Sequence, residues 1–214
     1  MRRRHQQGKS QGLLVVLSGP SGVGKGTVVA RAMSARGSGA ARLRRSVSVT
    51  TRPRRSGERH GTDYHFVSPE QFERMSAAGE LLEWATYLGN SYGTPRDRVD
   101  QQLEAGYDVV LEIEVQGAMQ VRERRPEAVL IYMLPPSLRA LRQRLRRRRS
   151  ENSELQQRRL EVARQELNCV SDYDYVIVND RVDRAGRIFL TILDAERCRT
   201  TRHDLSDLCE EMGV

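Results

Sequence analysis

The chain has 214 residues and carries 36 lysines and arginines against 28 aspartates and glutamates, a net charge of +8. That length suits one domain with its own core. No run of about 18 apolar residues is there to span a membrane, and the three cysteines, Cys169, Cys198 and Cys209, lack metal or redox spacing, which argues against a disulfide framework. A reducing cytoplasm is expected, and the arginine-rich charge points to anionic partners: nucleotides, phosphates or nucleic acid.

Residues 1–11 (MRRRHQQGKSQ) read as a disordered basic tail with no apolar signal segment behind it. The run at 13–18 (LLVVLS) reads as a buried strand, and GPSGVGKGT at 19–27 leads into a helix over 25–36. Short strands are expected at 44–49 (RRSVSV) and 64–67 (YHFV). Ser68, Pro69 and Gln71 spell a helix start, as N-cap, first-turn proline and capping box, and Gly79 suits its end. A strand at 81–88 precedes a turn, and Thr94 with Pro95 opens a helix ending near Gly106. The segment 107–115 (YDVVLEIEV) reads as a strand, and 128–134 (AVLIYML) as a buried one. An arginine-rich helix over 137–149, a helix from Ser153 to about Val170, a strand at 175–180 and a closing helix complete the pattern.

Apolar strands at 13–18, 108–113, 128–134 and 175–178, alternating with helices, predict an α/β fold with a parallel sheet. The expected organisation is a domain over 12–200, with a core of 12–43 and 95–200. A lobe of shorter strands is inserted at 44–94, a polar lid lies near 146–154, and 201–214 is a tail.

The loop has a recognisable chemistry. A glycine-rich turn between strand and helix presents backbone N–H groups to one spot and binds phosphate there. Gly19, Gly24 and Lys25 match the form G-x-x-x-x-G-K-[ST], but Gly26 stands where a magnesium-touching hydroxyl is expected. Thr27, one step on, offers a hydroxyl. The run GKGT resembles the loop of adenylate kinases, which hold magnesium mainly through water.

Six motifs follow one another: GPSGVGKGT, S-V-S-V-T-T-R-P-R-R-S-G-E (46–58), G-x-D-Y-x-F (61–66), G-E-x-L-E-W-A (79–85), Y-G-T-P (92–95) and I-x-V-Q-G (113–117). In that order they resemble the guanylate kinases. The resemblance runs from about Leu13 to Asp180. It implies a phosphate-loop fold of three layers with a five-stranded parallel sheet, an inserted GMP-binding lobe and a lid. It implies transfer of the γ-phosphoryl of ATP to GMP, with magnesium carried on ATP. ATP would meet Gly19, Pro20, Ser21, Gly22, Val23, Gly24, Lys25, Gly26 and Thr27, with Asn179 near the adenine. GMP would meet Ser48, Arg52, Arg55, Tyr64, Glu83, Tyr92, Thr94 and Glu112.

The residues support this chemistry themselves. Arg52 and Arg55 can fork onto a dianionic phosphate, and the hydroxyls of Tyr64 and Tyr92 can complete the cage. Glu83 can accept both N1–H and the exocyclic amine of guanine, whereas adenine would leave it unpaired. Ser48 and Thr94 can donate to guanine O6. Glu112 and Glu114, two apart on the expected strand, would share a face. The resemblance puts Glu112 near the guanine amine and Glu114 near the metal, a place where guanylate kinases usually carry Asp.

The arginine run at 138–154 reads alone as a solvated helix face or a nucleic-acid patch. Phosphoryl transfer gives it another use, since arginines neutralise the charge that develops. By resemblance Arg144, Arg148 and Arg159 would do this, although Arg147 and Arg149 replace the two glycines of the family's lid. Nucleic acid and membrane are not expected as partners, and the chain is expected as a monomer or homodimer. Two alternatives stay open: a kinase of the same fold with a modified nucleotide or sugar phosphate as acceptor, and a non-catalytic binding module.

Overall fold

The structure is a computed structural model that describes residues 11–87, 89–146, 161 and 166–203, with the backbone alone at Ser38 and Arg146. Strand β1 (Leu14–Ser18) leads through the glycine loop into α1 (Lys25–Met33). Next come α2 (Ser38–Arg42), β2 (Leu43–Arg45), β3 (Val49–Thr50), β4 (His65–Phe66), α3 (Pro69–Ala77), β5 (Leu81–Tyr87) and β6 (Asn90–Pro95). The second half holds α4 (Arg96–Glu104), β7 (Asp108–Leu111), α5 (Val115–Arg124), β8 (Val129–Leu134) and α6 (Leu138–Arg146). A 3-10 turn at Leu167–Asp172, β9 (Tyr175–Val178) and α7 (Val182–Arg197) follow.

Five strands form one sheet in the order β2-β7-β1-β8-β9, with every pairing parallel. Along β1 the side chains alternate between its two faces. Val15 and Leu17 pack with Val28, Val29 and Phe189, while Leu14 and Val16 pack with Leu103, Leu111 and Val121. A strand covered on both faces must be apolar at each position, hence the unbroken LLVVL. The result is the expected three-layer α/β fold. Asp108 lies buried at the start of β7, accepts the Leu13 N–H at 2.9 Å and pairs with Arg197. Removing one partner of so buried a pair costs roughly 3 kcal/mol or more. Among the described residues no helix is long and apolar enough to cross a membrane.

The chain leaves β1 towards β2 on one side, while β8 and β9 extend the sheet on the other. Such a reversal opens a crevice at the carboxyl ends of the strands, where ligands of open α/β sheets bind. The second sheet, β4-β3-β6-β5, stands beside it and is mostly antiparallel. The capping box at Ser68 forms as expected: Ser68 Oγ accepts the Gln71 N–H, and Gln71 Oε1 accepts the Ser68 N–H.

Several elements differ from the expectation. Residues 90–95 form the strand β6 where a turn and the start of a helix were expected, because they pair with β5, and the helix begins only at Arg96. The segment 44–49 is not one strand. Leu43 is buried in the core and Val49 in the second sheet, so the chain divides, and β2 supplies the fifth parallel strand. The strand expected at 107–115 stops at Leu111, and Val115 already belongs to α5. The apolar Ile113 and Val115 imitate strand alternation, but Glu114 caps a helix that the alternation hides. Glu112 and Glu114 therefore do not share the face of a strand; the short connection from β7 to α5 brings them to the crevice. Of the helix expected from Ser153 to about Val170 only residues 161 and 166–170 are described, and its end is a 3-10 turn at Leu167–Asp172. Residues 1–10 of the expected tail, all but the first residue of the lid at 146–154, and 204–214 of the C-terminal tail lie outside the described residues.

Candidate active site

Gly19, Gly22 and Gly24 take positive φ values of 141°, 85° and 101°, and Gly24 is the N-cap of α1. This left-handed backbone, open to glycine, suits a concave nest of amides of the kind that can bind phosphate. Val23 is buried in the core and its N–H donates to Pro20 O at 3.0 Å, which anchors the loop from below. Lys25 Nζ donates to Gly19 O at 2.5 Å, holding the ammonium over the loop. Ser21 lines the crevice, while Thr27 is exposed on α1.

Gly26 has a specific neighbour. A Cβ there would stand 3.2 Å from Glu112 Oε2. Glu112 leans on the bare position and is paired with Arg45, Nε to Oε1 2.7 Å. Burial raises the Glu112 pKa, and the charges of Arg45 and Lys25 oppose that shift.

Helix α6 lies across the loop. Leu141 and Leu145 are buried, and Leu145 Cδ2 would be 2.9 Å from a Cβ on Gly22. Arg144 Nη1 donates to Val23 O and Nη2 to Asn179 O, both at 2.9 Å. Asn179, just beyond β9, donates from Nδ2 to the same Val23 O at 2.8 Å. The residues expected near the phosphates and the adenine thus grip the backbone of the loop. Arg148 and Arg159 lie outside the described residues.

Across the crevice, the Tyr64 and Tyr92 rings meet edge to face with centroids 6.1 Å apart, and the Arg52 guanidinium lies 5.5 Å from the Tyr64 ring. Burial raises the Tyr64 pKa, so its hydroxyl keeps its proton at neutral pH. Ser48 and Arg55 line the same wall. Glu83 on β5 is 3 % exposed and sits opposite Thr94 on β6. The Thr94 hydroxyl donates to Glu83 Oε1 at 2.5 Å. Its proton is therefore committed to Glu83 rather than open to a donor role of its own. A Cβ on Gly117 would fall 2.3 Å from Glu83 Oε2, so only glycine leaves the carboxylate room. Burial pushes the Glu83 pKa up to about 7, opposed by the Thr94 hydrogen bond.

Glu114 caps α5, with Oε1 accepting the Gly117 N–H at 2.6 Å and Oε2 the Gln116 N–H at 2.8 Å. Glu166 reaches the crevice from the start of the 3-10 turn, and burial pushes its pKa up to about 7 against the pull of Lys25. Among the described residues no group of three or more His, Cys, Asp or Glu is arranged to hold a metal.

One cleft of about 250 Å³ collects these groups. Gly19, Ser21 and Lys25 form one wall, and Ser48, Arg52, Arg55, Tyr64, Glu83 and Tyr92 the other, with Glu112, Glu114 and Glu166 between them. Of the residues named from the sequence, Thr94, Asn179 and Arg144 stand behind the cleft as supports. The sequence reading missed Glu58, Gly117 and Glu166. The first two lie inside the quoted motifs, where a carboxylate spaced after two arginines and an unexplained glycine were signals; Glu166 carries none.

Comparison with known proteins agrees with this geometry. The family model described as guanylate kinase matches residues 11–196. The guanylate kinase of Desulfitobacterium hafniense is 47% identical over 194 residues, covering 91% of this chain and 95% of its own. That of Halalkalibacterium halodurans is 49% identical, covering 91% and 93%. The crystal structure of guanylate kinase from Anaplasma phagocytophilum superposes with a TM-score of 0.78 at 35% identity, covering 94% of this chain and 95% of that one. With a family model spanning nearly the whole described chain and relatives this similar over nine-tenths of it, the chain belongs to the guanylate kinase family.

Proposed function

We propose that the protein transfers the γ-phosphoryl group of ATP to GMP, giving ADP and GDP, and to dGMP, giving ADP and dGDP. The observation that carries this reading is the single cleft in which a phosphate loop with its lysine faces two arginines and a buried carboxylate. The loop amides and Lys25 take the β- and γ-phosphates of ATP. Arg52, Arg55, Tyr64 and Tyr92 take the acceptor phosphate, and Glu83 accepts the two donors of the guanine edge. Ser48 lies on the same wall to meet the base.

The transfer is in line. An oxygen of the GMP phosphate attacks the γ-phosphorus, the bond to the bridging oxygen breaks, and ADP leaves with that electron pair. Little proton transfer is needed, so positioning and charge neutralisation carry the rate. Magnesium, bound with ATP, would neutralise phosphate charge; Glu114 on the cleft would accept from its water ligands, and Glu112 would lie near the guanine amine. Arg148 and Arg159 are the proposed lid contacts to the transferring group, and Asn179 the support beside the adenine. A cytoplasmic enzyme working on free nucleotides fits these substrates.

The test is ADP formation from ATP and magnesium with GMP, dGMP, AMP, CMP or UMP as acceptor. GMP and dGMP are expected to support turnover, and Lys25→Ala to lower it by a factor of roughly 100 or more, as for loss of a preorganised charge at the transferring group. Turnover with none of the five by folded protein that binds ATP would overturn the assignment.

A further inference from the structure

Arg52 and Arg55 sit on a turn, and a turn of this kind does not hold two long side chains in one geometry by itself. Gly57 takes a φ of 87°, and the Glu58 N–H donates to Arg55 O at 3.2 Å, closing the turn from 55 to 58. The Glu58 side chain then folds back. Its Oε1 lies 2.7 Å from Arg52 Nη2, and its Oε2 accepts the Arg55 backbone N–H at 2.8 Å. One carboxylate thus ties the side chain of the first arginine to the backbone of the second.

Arg52 is held on its other sides too. Nη1 donates to Pro53 O at 2.7 Å, and the guanidinium lies 5.5 Å from the Tyr64 ring and 5.9 Å from the Phe66 ring. The pair is not an ordinary surface ion pair, since the side chains are only 10% and 19% exposed. Burial opposes the charge on Glu58, yet Arg52 and the Arg55 amide hold its pKa below the usual carboxylate range, so it is ionised at neutral pH. Glu58 also lines the cleft. A negative charge there repels an incoming phosphate, so a gain in order must offset that repulsion.

We propose that Glu58 is the positioning residue of the acceptor-phosphate site, fixing the Arg52 guanidinium and the Arg55 backbone in the geometry that receives the phosphate of GMP. The proposal rests on the GMP reading of the cleft. Preorganised charged donors bind and align an anion without the cost of ordering at the moment of binding.

The experiment compares the KM for GMP, the KM for ATP and the inhibition constant of guanosine in wild type, Glu58→Ala, Glu58→Gln, Arg52→Ala and the Arg52→Ala/Glu58→Ala double variant. Guanosine carries the base without the phosphate. Glu58→Ala is expected to raise the KM for GMP by about 30-fold, the scale of charge-assisted hydrogen bonds. Guanosine inhibition and the KM for ATP should stay within about twofold, because neither uses the two arginines. Glu58→Gln, with one acceptor oxygen, should fall between, and it carries the test if the alanine variant does not fold. In the Arg52→Ala background, losing Glu58 should add less than about threefold, the remainder acting through Arg55. Equal losses of guanosine and GMP affinity, an unchanged KM for GMP, or an undiminished effect without Arg52 would each overturn the proposal. Wild-type protein without GMP-dependent turnover would instead reject the GMP reading, before any variant is compared.

Discussion

Glu83 is a carboxylate in a place that penalises charge. Burial raises its pKa to about 7, and the Thr94 hydroxyl recovers part of the cost of ionisation. Because the folded-state value lies above the ordinary 4.5, the neutral form favours the free fold at low pH, and that contribution is lost as pH rises through about 7. Base binding has the opposite sign, since only the carboxylate accepts from both guanine donors. Guanosine affinity is therefore expected to rise about tenfold between pH 6 and pH 8, following ionisation of the group. Guanosine is the proper probe because a phosphate titrates in the same range. An inhibition constant that is flat across this range would show that Glu83 does not read the base. The identity of Glu83 was legible in G-E-x-L-E-W-A, but its support was not. Thr94 comes from the neighbouring strand and the room from Gly117 on α5, so three elements must fold before the environment of one carboxylate exists.

Among the elements, α6 shows how far a pattern carries. Its arginines were readable as a basic helix, and resemblance assigned Arg144 to the phosphates. The fold places its guanidinium on two backbone carbonyls, one in the phosphate loop and one beyond β9. Hydrogen bonds to backbone leave no trace in composition or spacing. From this grip, Arg144→Ala is expected to raise the KM for ATP by roughly tenfold, with kcat within about threefold, the scale of losing charged hydrogen bonds that order a loop. Faster amide exchange at residues 22–25 should accompany it. A fall in kcat at constant KM would show instead that Arg144 touches the transferring group. Similar reasoning explains α5. Glu114 was read on a strand, but its two oxygens cap a helix whose start the apolar Ile113 and Val115 had disguised.

In the molecule as a whole, the sequence announced the parallel core plainly because strands buried on both faces are uniformly apolar. It announced the second sheet poorly because β3 and β4 have two residues each and are fixed by their neighbours. The juxtaposition that matters for function is the cleft joining the loop after β1 to the wall built by β5 and β6. In the proposed reaction one wall holds the donor phosphates and the other reads guanine through Glu83. Comparing kcat/KM for GMP and AMP in wild type and Glu83→Gln tests that claim most directly. A glutamine offers one acceptor and one donor, the complement of the adenine edge. The GMP preference is expected to fall by a factor of about 100 or more, with AMP gaining relative to GMP. A variant that keeps the wild-type preference for GMP would contradict this reading.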